Sequence, residues 1–119
     1  VIMPPVNAGL DYLHSSMRRF WESEFPNSEE NLAFWTKRIS NIPTIAVGSV
    51  GLDTDFIDMT ASANPTSIDR AIEDISQNKY ELIAVGRALI ADPNWVVKMK
   101  EGRLKDLVPY TKEALMTLY

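Results

Sequence analysis

The string IAVG occurs twice, at Ile45-Ala46-Val47-Gly48 and Ile83-Ala84-Val85-Gly86, 38 residues apart. Short, wholly apolar runs suit strands with both faces covered, as in a parallel sheet. The spacing holds one strand, one loop and one helix, so the two copies mark the same place in consecutive βα units. Each run closes on Gly, in a chain with only five glycines. The residue after Gly differs, Ser49 in the first copy and Arg87 in the second.

The stretches around these runs complete the pattern. LDYLHS, near 10–15, reads as an earlier strand after Asn7-Ala8-Gly9. Ser28 is placed to cap a following helix, with Glu29 and Glu30 in its first turn, where the helix dipole favours acids. Leu32, Trp35 and Ile39 share one face of that helix, and Asn41-Ile42-Pro43 ends it. Thr66-Ser67-Ile68-Asp69 resembles a capping box ahead of Ile68, Ala71, Ile72 and Ile75, which keep amphipathic spacing. Asp92 and Pro93 fit the N-cap and first position of another helix that Gly102 terminates. Thr111 is placed to cap a last one. The order is β, α, β, α, β, α, an α/β architecture, with strands near 10–15, 44–47 and 82–85.

Three strands make a poor free-standing sheet, because both edges stay open. The expectation is one partial domain over residues 1–119, the C-terminal portion of a (β/α)8 TIM barrel, whose full length is about 250 residues. Open edges also point to a homo-oligomer. The net charge of −4 and pI near 4.9 argue against nucleic acid as a partner, since phosphate backbones require clustered Lys and Arg. No apolar stretch reaches the roughly 20 residues of a membrane span. Absence of Cys removes disulfides, thiolate catalysis and Cys-ligated metals, and fits a cytoplasmic protein.

Parallel strands aim their C-terminal ends at the active face of such folds. Gly48 and Gly86 there allow sharp turns and let backbone N–H groups approach a ligand. Arg87 adds a charge able to grip phosphate, and Ser49 a small hydroxyl donor. In barrels the recurring phosphate site follows strands 7 and 8. Equally, the glycines can serve turns alone, and Arg87 can pair with Asp92. GSVG lacks the Lys-Ser/Thr of a Walker loop and the third Gly of a dinucleotide fingerprint.

AVGRALIADPNW, IAVGSVGLDTDF and DYLHSSMRRFWESEF, with the closing LVPYTKEAL, resemble the C-terminal part of the Old Yellow Enzyme family. These are FMN-dependent NAD(P)H:flavin oxidoreductases, or ene-reductases. The resemblance runs from about Ala8 to Tyr119. It implies FMN at the strand ends of a (β/α)8 barrel, its phosphate held by Gly48, Ser49, Gly86 and Arg87. It implies NAD(P)H as hydride donor and an activated alkene of enone or dienoyl type as substrate. The substrate-polarising His pair of the family has no match here, because His14 is the only His. No catalytic residue is therefore assigned, and the chain alone is expected to be inactive.

Other positions carry weaker signals. Phe20 and Trp21 either line the substrate side of the flavin pocket or cover the barrel rim, with Arg18 and Arg19 paired to Glu22 and Glu24. His14 is expected to be packed or hydrogen-bonded within its strand. Trp35 and Trp95 are expected to pack helices on the sheet. Asp53, Asp55 and Asp58 read as solvated carboxylates, since the EF-hand Gly and Glu are missing. VIMPPV is either a helix tail or a remnant of the first barrel strand. Two other classes stay open, a non-catalytic βα module and a flavin-free phosphate-binding barrel.

Overall fold

The computed structural model describes residues 6–53 and 62–116. Nearly all of VIMPPV, together with Asp55 and Asp58, lies outside the described residues. Strands β1 (Leu13–Ser16), β2 (Thr44–Val47) and β3 (Leu82–Ile83) form one parallel sheet in the order β1-β2-β3. Helix α1 (Leu32–Ser40) joins β1 to β2, and α2 (Asp69–Ser76) joins β2 to β3. Beyond β3 come the single turn α3 (Arg87–Ala91), α4 (Trp95–Lys100) and two 3₁₀ turns, Leu104–Asp106 and Lys112–Met116. This is a small α/β domain whose strands neighbour one another in chain order, with no reversal of the kind that marks doubly wound sheets. Among the described residues, no helix is long and apolar enough to cross a membrane.

Register fixes which side chains share a face. His14 pairs with Ile45 and Ile45 with Leu82, while Ser15 aligns with Ala46 and Ala46 with Ile83. Paired residues of parallel strands point the same way. The Ser15–Ala46–Ile83 row faces the helices: Ser15 Oγ donates to Thr36 Oγ1 of α1 at 3.0 Å, and Ala46 packs with Ala33 and Tyr80. The His14–Ile45–Leu82 row faces away from them. Leu82 is 59% exposed there, and Ile45 and Val47 are half-buried. β2 and β3 are mainly apolar as expected, but β1 reads Leu-His-Ser-Ser, and among the described residues only one face of the sheet is covered. His14 is accordingly exposed rather than packed, because the covered side of β1 at this point belongs to Ser15.

Helix α1 differs from the sequence expectation in start and phase. Asn31, not Ser28, is its cap, accepting from Phe34 N–H at 3.0 Å and donating from Nδ2 to the Phe20 carbonyl at 2.8 Å. Ser28 closes a tight turn by accepting from Glu30 N–H. The buried stripe is Ala33, Thr36 and Ser40, whereas Ile39 is 55% exposed. Small residues on this stripe let the helix axis come close to the sheet, which bulky Leu32, Trp35 and Ile39 would prevent. Trp35 instead stacks edge-on with Phe25 and Phe34 beside α1, away from the helix–sheet contact expected of it. Trp95 does enter the core, with Leu52, Ala63, Ala88, Leu107 and Tyr110.

The later elements follow some local signals and not others. Helix α2 has Ile68 at its N-cap with no side-chain cap bond, so the capping box over 66–69 does not form. Ser67 only closes a tight turn by accepting from Asp69 N–H. Ala71 of α2 is buried, though Ile72 of the same apolar set stays exposed. Asp92 accepts from Asn94 N–H, as a capping Asp should, although regular helix begins only at Trp95. Gly102 and Arg103 donate to the carbonyls of Met99 and Lys98, a Schellman-type stop. The turn α3 carries no periodic signal, being too short to show one. Thr111 precedes a 3₁₀ turn rather than an α-helix.

Asp92 is 2% exposed and is the most heavily bonded carboxylate among the described residues, with Lys98 Nζ at 2.7 Å and the N–H groups of Asn94 and Val108. Burial alone would raise its pKa, but these three donors outweigh it and hold the group below its ordinary range. A depressed folded-state pKa stabilises the protein above the unfolded value of about 4 and loses that contribution as pH falls through the folded value. Urea unfolding from pH 6 down to pH 3 should show stability declining in the acid limb. Asp92→Asn should cost about 2 kcal/mol at pH 7 and flatten that decline; an unchanged slope would show that Asp92 is not its source.

The α1 interface makes a second expectation. Thr36→Val keeps the volume but leaves the Ser15 hydroxyl buried without its acceptor, so urea midpoints should fall by about 1–2 kcal/mol of stability. Recovery in the Ser15→Ala, Thr36→Val double variant is expected, because both polar partners are then gone.

Candidate functional site

The four residues that the two IAVG copies single out converge on one pocket. Gly48, Ser49, Gly86 and Arg87 line it with Ser16, Met17, Val47, Val50 and Leu52, around about 290 Å³ at the C-terminal ends of the strands. This is the low end of small-ligand cavities, enough for one end of a cofactor-sized molecule. Arg87 Nη2 donates to Ser49 Oγ at 3.2 Å, joining the two strand ends directly. The Arg87 guanidinium also lies 5.4 Å from the centre of the Tyr110 ring. Asp92 is committed to Lys98, so it does not serve as the ion-pair partner of Arg87 that the sequence left open.

The two glycines prove unlike. At Gly48 (φ +154°) an added Cβ would sit 2.7 Å from the Met17 carbonyl oxygen, a distance real Cβ atoms do not tolerate. Gly48 thus exists for the chain itself: it lets the loop after β1 cross the end of β2. Met17 N–H donates to Val47 O and Phe20 N–H to Gly48 O, which fixes that crossing. At Gly86 nothing among the described residues lies within 4 Å of an added Cβ. No contact with those residues demands glycine there, and its backbone is open beside the pocket.

Ser49 has a more specific part than that of a neutral donor. Its backbone is left-handed (φ +53°), a conformation that costs an ordinary residue about 1 kcal/mol. Its hydroxyl donates to the Arg18 carbonyl at 2.7 Å, so the oxygen's lone pairs face Arg87. Ser49 therefore links the β1 loop to the Arg87 side chain.

Phe20 and Trp21 do not line this pocket. Phe20 is 3% exposed and packs with Val50 and Ala71, while Trp21 meets it edge-on and borders a separate polar cleft beside Arg70 and Asp74. Arg19 pairs with Glu22 at 2.7 Å, as a surface role for this loop requires. Asp53 is exposed and accepts from Asn64 N–H. Among the described residues no cluster of three His or carboxylate groups could hold a metal ion. Residues that sequence reasoning missed are Met17, whose backbone enforces Gly48, and Tyr110. Tyr110 lies far along the chain, and only the closing LVPYTKEAL hinted at it.

No family model matches the chain. It is 33% identical over 102 residues to a probable NADH-dependent flavin oxidoreductase, YqiG, of Bacillus subtilis, covering 82% of this chain and 23% of that protein. It is 34% identical over 76 residues to an NADH oxidase of Thermoanaerobacter brockii, covering 64% of this chain and 9% of that protein. The chain thus spans less than a quarter of either relative. The likeness supports a relationship to NADH-linked oxidoreductases, one of them named as a flavin enzyme.

The contrast between the glycines is measurable. Gly48→Ala should destabilise the fold by about 2–4 kcal/mol, since both φ and the Met17 backbone oppose a side chain. Gly86→Ala should change stability by no more than about 1 kcal/mol. Equal losses in thermal melts would remove the assignment of Gly48 to chain crossing and Gly86 to the pocket.

Proposed function

We propose that this chain is the C-terminal part of an FMN-dependent NAD(P)H:flavin oxidoreductase of Old Yellow Enzyme type, and that its pocket holds the FMN phosphate. The observation that carries this reading is the convergence of Ser49, Gly86 and Arg87 on one small pocket, with Arg87 already anchored to Ser49. The set suits a phosphate: a guanidinium with several N–H groups, held in place by the Ser49 oxygen, beside a strand end without a Cβ. Names and identity of the two relatives support the flavin and the nicotinamide, and consecutive parallel strands support a (β/α)8 parent.

Bound flavin would carry hydride between a nicotinamide and an activated alkene of enone or dienoyl type. This chain's own share is binding and orientation. Arg87 would meet the phosphate charge, Ser49 would hold the Arg87 side chain in place, and Gly86 would admit the group to the backbone. Gly48 would shape the pocket by allowing the β1 loop across it. No group among the described residues is placed to polarise a substrate carbonyl, so the chain alone would not turn over. The open edges of β1 and β3 and the exposed Leu82 favour self-association of the isolated chain, in a cytoplasmic setting.

Flavin fluorescence titration tests the reading. FMN should bind the chain more tightly than riboflavin, which lacks the phosphate. Arg87→Ala should weaken FMN binding about 10- to 100-fold, the worth of one charge-assisted contact, and leave riboflavin unchanged. Equal affinity for the two flavins, or an Arg87→Ala variant that binds FMN normally, would sink it.

A further inference from the structure

We infer that Tyr110 is a positioning residue for the pocket, holding the Arg87 guanidinium against its ring face so that the side chain meets an anion without reorganising. The inference rests on the phosphate reading above and adds to it a residue from the far end of the chain. Among the described residues, Ser49 and Tyr110 hold Arg87 from two directions. Ser49 takes one of its N–H groups at 3.2 Å, and Tyr110 attracts the cation at 5.4 Å through the negative face of the ring. A ring holds a guanidinium without neutralising it, which a carboxylate in the same place would do.

Tyr110 is itself unusually well fixed. Its side chain is 1% exposed among Leu52, Ala63, Ala88, Trp95 and Leu107. Its N–H donates to the Ala63 carbonyl at 2.8 Å, and its carbonyl accepts from Ala63 N–H at 2.9 Å. Two residues earlier, Val108 N–H is tied to Asp92, which caps the end of α3, the turn that Arg87 begins. The ring and the guanidinium are therefore clamped to the same short stretch of structure. The phenol hydroxyl, by contrast, is buried with no hydrogen-bond partner among the described residues. A buried Tyr whose hydroxyl bonds to none of them contributes through its ring, and the charged group over that ring is Arg87.

Replacing Tyr110 by Phe, and then by Phe carrying one, two and three ring fluorines, weakens the ring's negative face stepwise at nearly constant volume. The readout is the ratio of FMN to riboflavin affinity, with thermal midpoints measured alongside. Tyr110→Phe should keep the ratio of the unsubstituted chain. The fluorinated series should lower it progressively, by roughly three- to tenfold in all, with riboflavin affinity and midpoints steady. In an Arg87→Ala background the same series should be flat, since the cation it acts on is gone. A purely structural Tyr110 would lower both flavin affinities and the midpoint together, or change nothing with fluorination; either result overturns the inference while the FMN preference stands. A chain that never prefers FMN to riboflavin overturns the phosphate reading and this inference with it.

Discussion

The ends of β1 and β2 lie closer than any side chain at position 48 allows, and much of the structure follows from that contact. With only hydrogen on Gly48, the Met17 backbone crosses the end of β2, and the loop donates hydrogen bonds from Met17 N–H to Val47 O and from Phe20 N–H to Gly48 O. The crossing brings the Arg18 carbonyl to the Ser49 hydroxyl and turns Phe20 inward against Val50 and Ala71. Phe20 then offers its own carbonyl to Asn31, the cap that starts α1. One missing Cβ thus fixes a loop, a core residue, a helix start and one wall of the pocket.

The pocket's charge depends on that same wall. Because Ser49 gives its proton to Arg18, its oxygen is left to accept from Arg87. In the role proposed for it, the Tyr110 ring, centred 5.4 Å from the guanidinium carbon, restrains the side chain. A flexible arginine would lose side-chain entropy on binding; one restrained beforehand would lose less, and such preorganisation would translate into affinity. The acidic balance of the chain makes this local arrangement matter more, because a net charge of −4 gives no general attraction for anions.

Among the described residues, the sheet is covered on one face only. Small side chains on α1 and on the helix-facing row allow close packing there, sealed by the Ser15–Thr36 hydrogen bond. The other face carries Ile45, Val47 and the exposed Leu82 from β2 and β3, side chains that suit burial, while β1 adds the polar and exposed His14 and Ser16.

The three strand positions, the two helices between them and the Gly102 stop were legible in the sequence, because such signals act over a few residues; the turn α3 and the 3₁₀ ending after Thr111 were not. Legible too was the gathering of Ser49, Gly86 and Arg87, since two like units of a parallel sheet must end on the same side. The phase of α1 was not legible. Hydrophobicity nominated Leu32, Trp35 and Ile39, but close approach to the sheet selects for small residues, and only the packed pair of elements reveals that demand. The same holds for Phe20, whose aromatic ring could equally line a cleft or fill a core. Nor could any local pattern show that Gly48 answers to Met17 while Gly86 answers to open space, or that Tyr110 reaches Arg87. Those assignments depend on contacts between residues tens of positions apart, and such distances are set only when the chain closes on itself.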